Sequence, residues 1–363
     1  MGKLVFKKTV FMMIAPHCMQ VCAASNLQLN IRADVYSEPV SIQSFTDGWH
    51  QPLRPHSERA FAQGEITLGA EDHYYRYGLL WRYDYLLSFS PDMARLYHQY
   101  ANQRTIEPDQ QFDLQLDANH LEAYGVYVAK AWQVMPDWQL WTGVSLLKGQ
   151  HIVEGQFLGL VASKSAVRNI DRIRSIQSQI SYVYDEPQLY EDELGWHPAS
   201  PQGEGIGLNF AIEGAFSPAW SLKADVRDAW GMMYWRDMPR TAYRLQFDDQ
   251  KNPPHDLLGQ LSIDRHYQQR LPWRAHSQLI YQPVDHAWHA DLQMTANRTG
   301  ELWQAGLYRS TGANLVGLHV EPQTGALGLS LKNRNFSVFY LTDHLNTNQA
   351  HRISLMIQGS HTW

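Results

Sequence analysis

The stretch from Tyr75 to Phe89, YRYGLLWRYDYLLSF, decides the fold. Tyr75, Tyr77, Leu79, Trp81, Tyr83, Tyr85, Leu87 and Phe89 fall on one face, and Arg76, Gly78, Arg82 and Asp84 fall on the other. A period of two marks a β-strand, whose side chains project alternately to opposite sides. The 15 residues of this segment exceed an ordinary globular strand, whereas a tilted strand needs about 9 to 11 to cross a bilayer and commonly extends beyond it. One face suits lipid and the other suits water.

The same alternation recurs along the chain. Trp220, Leu222, Ala224 and Val226 oppose Ser221, Lys223, Asp225 and Arg227, and Trp288, Ala290, Leu292 and Met294 oppose His289, Asp291 and Gln293. In the final segment, HRISLMIQGSHTW, Ile353, Leu355, Ile357 and Trp363 oppose Arg352, Ser354, Gln358 and Thr362. A soluble β-sandwich also alternates. At 363 residues it would need a second domain, yet no Pro/Ser/Gly linker divides the chain, and the charged faces mix both signs as a wet lumen does. Beyond the N-terminus no run of 18 apolar residues lacks a charge, so helical spans are excluded. The expectation is an all-β chain, a transmembrane antiparallel up-and-down β-barrel.

Strands are expected near 26–36, 61–71, 74–89, 121–135, 138–149, 152–163, 173–185, 205–216, 219–235, 270–282, 286–297, 302–309, 313–320, 326–331, 336–342 and 351–363, giving 16, with 14 as the alternative count. Long connections at 37–60, 90–120, 186–204 and 236–269 all follow odd-numbered strands. Short ones such as Pro136-Asp137, Ser217-Pro218 and Pro283-Val284-Asp285 follow even-numbered strands. Outer-membrane barrels show this asymmetry, with long external loops and short periplasmic turns. A short helix is expected in the 90–102 connection, with Ser90 as its cap, Pro91 in its first turn and Met93, Leu96, Tyr97 and Tyr100 at helical spacing. It could enter the mouth as a hatch or lie on the rim.

Residues 1–24 have the pattern of a secretory signal peptide: Lys3, Lys7 and Lys8, then an apolar stretch from Val10 to Ala15, then the small residues of Val21-Cys22-Ala23-Ala24. The barrel domain is then 25–363. Cys18 and Cys22 both lie in the leading segment, so the remainder offers no disulfide, zinc-thiolate site or cysteine nucleophile. Loss of its three lysines lowers the 30 basic residues to 27 against 36 acidic ones. With that acidic balance and no Lys/Arg-rich run, nucleic acid is not an expected partner.

Parity assigns Arg76, Arg82, Asp84, Lys223, Asp225, Arg227, His289, Asp291 and Arg352 to the lumen, where they either define a polar path or form cross-strand ion pairs that fill it. His289, Asp291 and Ser354 are the residue types of a hydrolase, but no catalytic motif joins them. The segment GEGIGLNFAIEG at 203–214 lacks the Lys-Ser/Thr of a P-loop and alternates like a strand. The acidic residues of LYEDELGW, at 189–196, are expected at a solvated loop tip. No cofactor, metal site or enzymatic activity is expected.

GEGIGLNFAIEGAFSPAWSLKADVRDAWGMMYW, at 203–235, resembles the glycine-rich strand, short Pro turn and returning strand of outer-membrane barrels of the long-chain fatty acid transporter type and the related conjugal-transfer barrels. GANLVGLHVEPQTGALGLSLKNRNFSVFY, at 312–340, followed by HRISL, resembles their closing hairpins. The resemblance implies a proteobacterial outer-membrane barrel. The terminal pattern Ile353, Leu355, Ile357 and Trp363 resembles the signal read by the barrel-assembly machinery, with departures at Gly359 and His361. The expected function is a channel or carrier for small or amphiphilic solutes in the outer membrane of a Gram-negative bacterium. The alternative is a non-transport barrel that anchors or assists a surface assembly, secretion system or polymer export. Outer-membrane lipid, the assembly machinery and a small-molecule solute are the expected partners.

Overall fold

A computed structural model describes residues 26–166, 172–189, 191–251, 253, 255–283 and 286–361. The expected signal segment and Trp363 lie outside the described residues. The strands are β1 (Asn26–Ser37), β2 (Arg59–Glu71), β3 (Tyr75–Phe89), β4 (Gln111–Met135), β5 (Trp138–Ser163), β6 (Ile173–Tyr184), β7 (Gln202–Ser217) and β8 (Trp220–Asp248). They continue as β9 (His255–Arg270), β10 (Arg274–Tyr281), β11 (Trp288–Asn297), β12 (Gly300–Thr311), β13 (Asn314–Glu321), β14 (Ala326–Lys332), β15 (Phe336–Thr342) and β16 (Arg352–His361). Two helices, α1 (Ile42–Thr46) and α2 (Pro91–Ala101), sit in the first two long connections.

Every described strand pairing is antiparallel, and the pairings close on themselves. β16 bonds β1, the chain continues pairwise to β5, and β8 bonds β10, which leads round again to β16. Between β5 and β8 the wall is a composite: β7 pairs the lower part of both, and β6 pairs their upper part. β9 likewise stands above β10 on β8. Sixteen strand segments therefore make a ring of 14 staves. The β9/β10 break falls at Leu271-Pro272-Trp273, where Pro272 cannot donate to a ladder.

Three expectations are corrected. The segments 138–149 and 152–163 are one strand, β5, with a bulge where Ala123 pairs Gly149 and Glu122 pairs His151. The extra residue shifts the phase of alternation, and a phase shift in sequence imitates a turn. As a result, 152–163 and 173–185 run in the opposite directions to those expected. The connection 236–269 is mostly strand, because β8 continues to Asp248 and β9 returns from His255. β9 stands above the apolar belt, where two wet faces leave no hydrophobic alternation to read, and the β8 continuation keeps only isolated buried residues such as Met238 and Thr241. Finally, β4 begins at Gln111, ten residues before the expected start at 121.

The outward face carries the apolar belt. Leu68, Leu79, Val126, Val128, Leu146, Leu292, Leu307, Leu318 and Leu329 are all exposed on it. At the short-turn rim Trp138 packs on Phe216 and Trp220 on Tyr281, and Trp288 lies under the Arg309 guanidinium, forming an aromatic girdle. Tyr75 to Tyr85, where the covering loops begin, rises roughly 25 Å at ~3.3 Å per residue and ~40° tilt, the height of a bilayer-spanning band.

The helix α2 is capped as the sequence indicates: the Ser90 hydroxyl accepts from the Met93 amide at 3.1 Å. It is not a hatch. Ala60, Leu87 and Phe89, on the outward face above the belt, form one cluster with Ala94 of α2 and Trp49. The other face of this wall bends over the lumen. Tyr36, Phe61 and Leu86 of β1 to β3 pack on Leu302 of β12, and Arg59 donates to the Thr299 carbonyl at 3.1 Å.

Close approach of β2 and β3 rests on a glycine pair. A Cβ on Gly78 would lie 2.4 Å from the Leu68 carbonyl oxygen, whereas a Cβ on Gly359 of β16 would meet nothing within 4 Å. Overpacking against backbone costs about 1 to 3 kcal/mol or more. Gly78→Val is expected to reduce the compact, fast-migrating band seen on gels before boiling, and Gly359→Val to retain it. Equal retention would refute the packing assigned to Gly78.

Candidate functional site

The inward residues divide the lumen into a wet chamber and a dry septum. The chamber, about 610 Å³, opens from the short-turn side and is lined by Arg76, Lys223, Asp225 and Arg227 among others. These side chains are inward because each alternates with a belt residue on the same strand. Arg76 meets Glu71 at 2.9 Å and Glu213 at 3.3 Å, with its guanidinium 3.7 Å from the Trp141 ring centroid. Arg227 meets Glu65 at 3.0 Å, and Asp225 meets His276 at 3.6 Å. Above the chamber the space narrows to a void of about 60 Å³ bordered by Asp34, Gln63, Arg274 and Arg352.

The centre of the septum is Asp84, which is fully buried. Arg82 donates to its Oδ2 from Nε and Nη2 at 2.8 and 2.6 Å. Arg274, on β10 several staves away, donates to its Oδ1 from Nε and Nη2 at 2.9 and 2.6 Å, and Gln63 adds a bond at 2.7 Å. Arg82 also reaches Asp228 on β8, and Asn297 of β11 donates to Gln63 at 2.9 Å. Two arginines and two aspartates thus join β3, β8 and β10 in one neutral network, with Gln63 and Asn297 extending it across the ring.

Asp228 reaches Arg82 from an irregular backbone. Its φ is +50°, its amide donates to Asn209 Oδ1 at 3.0 Å, and the ladder shifts between Leu208 and Phe210 opposite it. Gly207 leaves room for this carboxylate, since a Cβ there would lie 2.0 Å from Asp228 Oδ1. Beside this network lies an apolar cluster of inward residues: Leu80, Leu121, Ala123, Leu147, Ile152, Val183, Met233, Trp235, Met238 and Leu271. Trp235 covers two glycines, Gly149 and Gly203, where a Cβ would come within 2.3 and 2.6 Å of its ring. At 1% and 0% exposure, Trp235 and Asp84 are both shielded from solvent.

The remaining lumen candidates lie apart from that centre. Arg352 is buried against Glu321, with a 2.8 Å contact, and against Asp34. Asp291 Oδ2 accepts from Tyr308 at 2.6 Å, from Gln293 at 2.7 Å and from Gln278, none of them His289, and its Oδ1 has no hydrogen-bond partner among the described residues. Ser354 borders the small void near Arg352. The His289, Asp291 and Ser354 set is therefore not joined by the hydrogen bonds a nucleophilic triad requires. Ile353, Leu355 and Ile357 of the expected assembly signal pair with Val35, Ala33 and Ile31 of β1.

Outside the lumen, Asp192 and Glu193 are exposed on the acidic loop, but Glu191 departs from the expected solvated tip, because it is buried and accepts from Tyr182 and from the Leu189 amide. His151, Asp185 and Glu186 offer ligand atoms within 4.8 Å of one another, with His151 Nδ1 2.6 Å from Asp185 Oδ2. Burial alone would lower the His151 pKa, but the hydrogen bond and charge of Asp185 outweigh it and hold it raised.

Arg274, Asp228, Gln63 and Trp235 were not singled out from sequence. Asp228 had a signal, since it breaks the alternation of SLKADVRDAW. The others are ordinary residues until the ring brings them together.

No protein-family model matches the chain, and no curated protein matches it. Among solved structures it is similar to the P. putida toluene transporter TodX, at 9% identity and TM-score 0.40, covering 93% of this chain and 89% of that one. The TodX deltaS2S3 mutant monoaromatic hydrocarbon channel gives 8% identity and TM-score 0.46, covering 94% and 91%. A Pseudomonas aeruginosa FadL homologue gives 12% identity and TM-score 0.27, covering 92% and 89%.

Breaking a buried, hydrogen-bonded ion network by removing one partner costs about 3 to 5 kcal/mol, whereas an exposed pair contributes about 1 kcal/mol or less. Asp84→Ala is expected to lower stability by about 3 to 5 kcal/mol in urea unfolding from lipid vesicles. Lys148→Ala, which removes a 3.8 Å exposed contact to Glu204, is expected to change it by about 1 kcal/mol or less. Equal effects would contradict the central position of Asp84.

Proposed function

We propose that this outer-membrane barrel is a channel for small or amphiphilic solutes, closed at rest by its side-chain septum. A closed antiparallel ring with an even stave number and an aromatic-edged apolar belt is the β-architecture that satisfies its backbone in lipid. The short turns then face the periplasm and the tall wall faces outward. β16, which closes the ring on β1 with Ile353, Leu355 and Ile357 outward, is the strand offered to the assembly machinery.

The observation that carries the reading is the composition of the barrier. The wet chamber of about 610 Å³ ends at side chains contributed by the walls, and the described helices pack on the rim and outward face. Side chains can change rotamer without unfolding a stave, so such a barrier can open while the barrel stays intact. A second reading, an anchor or accessory barrel, draws on the height of one wall. β8 extends 29 residues, and β9 is paired to β8 alone among the described strands.

Planar-bilayer recording distinguishes the two. The wild-type protein is expected to be mostly closed, and Trp235→Ala combined with Leu271→Ala to give frequent discrete openings. Each large-to-small change also costs about 2 to 5 kcal/mol of stability, so heat-modifiable mobility must first show that the variant is folded. A folded variant that never conducts would sink the channel reading and favour the accessory one, which a co-purifying partner chain would then support.

A further inference from the structure

Within the chamber, each lining acid has a basic neighbour, with one guanidinium shared by two glutamates, whereas several bases have no carboxylate of their own. Glu65 is held by Arg227, Glu71 and Glu213 by Arg76, and Asp225 by His276. Lys223, Lys332 and Arg32 line the same chamber. Among the described residues none of these three has a carboxylate within ion-pair distance.

Their neighbours explain why. Lys223 is paired in register with Glu213 on one side and Gln278 on the other. The Glu213 carboxylate turns away to Arg76 and to the Trp141 indole, which donates at 3.1 Å, and the Gln278 amide turns to Asp291. Lys332 has Leu315 and Ser337 beside it, and Arg32 has Met356 and Glu65, whose carboxylate is committed to Arg227. Lys223 lies near the start of β8 and Lys332 ends β14, so both stand towards the periplasmic rim, while Arg32 lies higher on β1. Lys223 and Lys332 act on one another electrostatically.

Lys223 and Lys332, two ammonium groups at one mouth of a water-filled chamber with no carboxylate in ion-pair distance, favour an anion between them, and low-dielectric walls strengthen the attraction. We infer that the periplasmic chamber is a binding site for a small hydrophilic anion bearing phosphate or carboxylate oxygens, engaged by Lys223 and Lys332 at its mouth. This rests on reading the lumen as a solute compartment, and it adds a charge preference to that compartment. Lumen-facing placement favours a free anion over a lipid headgroup, which would approach from the opposite face.

The test is calorimetric titration of inorganic phosphate into the full-length folded protein in an uncharged detergent at low ionic strength. Saturable binding is expected, weakened about tenfold or more in Lys223→Gln/Lys332→Gln as charge-assisted hydrogen bonds are lost. It should be retained in Lys223→Arg/Lys332→Arg and in Lys130→Gln, whose lysine lies over the Trp132 ring. No saturable binding, or equal binding by the glutamine variant, overturns the inference. Binding to phosphatidylglycerol nanodiscs without binding of free phosphate also overturns it, because the lysines would then be headgroup contacts. Anion-selective reversal potentials in the septum-opened variant are a separate arm: phosphate binding without any conductance would retain this site while rejecting the channel.

Discussion

In hydrocarbon, a backbone amide or carbonyl without a partner costs several kcal/mol, and a strand can meet that demand only from neighbours on both sides. Closure of β16 on β1 and of β10 on β8 is therefore the constraint on which the rest of the structure depends. It also explains the composite staves. Where β6 leaves the wall at Tyr184, β7 enters below it from Gln202, and where β9 stops at Arg270, β10 resumes at Arg274. These breaks lie above the lower ladders that close the ring, so irregular backbone is tolerated without opening an edge to lipid.

Closure also gives the lumen residues their meaning. Asp84 and Arg274 are 190 positions apart, and neither has a local reason to be buried and charged. The ring brings them together, and neutralisation by two arginines and two aspartates lets the level stay dry. Such a network is weak as a source of net stability, because desolvation offsets much of the attraction. Its strength is positional: removing one member leaves another buried and uncompensated, so the walls are held at one separation.

Sequence revealed the parts of this arrangement that repeat locally. Alternation at Tyr75 to Phe89 and Trp220 to Arg227 identified belt and lumen faces, because lipid on one side and water on the other impose opposite chemistry on successive residues. The helix after Ser90 was legible from its cap and spacing. The bulge in β5 was not, because one inserted residue changes the phase of the pattern and leaves no turn residue as a marker. β9 was hidden for a different reason, since a strand wet on both faces loses the contrast by which strands are read. The septum was the least legible part, because its contacts are between distant staves.

The two levels of the lumen differ in electrostatics as well as packing. In the septum, burial requires each charge to find its opposite, and Arg82, Arg274, Asp84 and Asp228 satisfy one another. In the chamber, water solvates what the protein leaves unpaired, so Lys223 and Lys332 can remain without carboxylates where no buried lysine could. The septum consequently has no charge left to attract a solute, and the chamber does. A barrier that is neutral and dry beneath a tall outer wall, facing a wet and cationic compartment, separates resistance to leakage from recognition. The first can then change with side-chain packing while the second stays fixed in the wall.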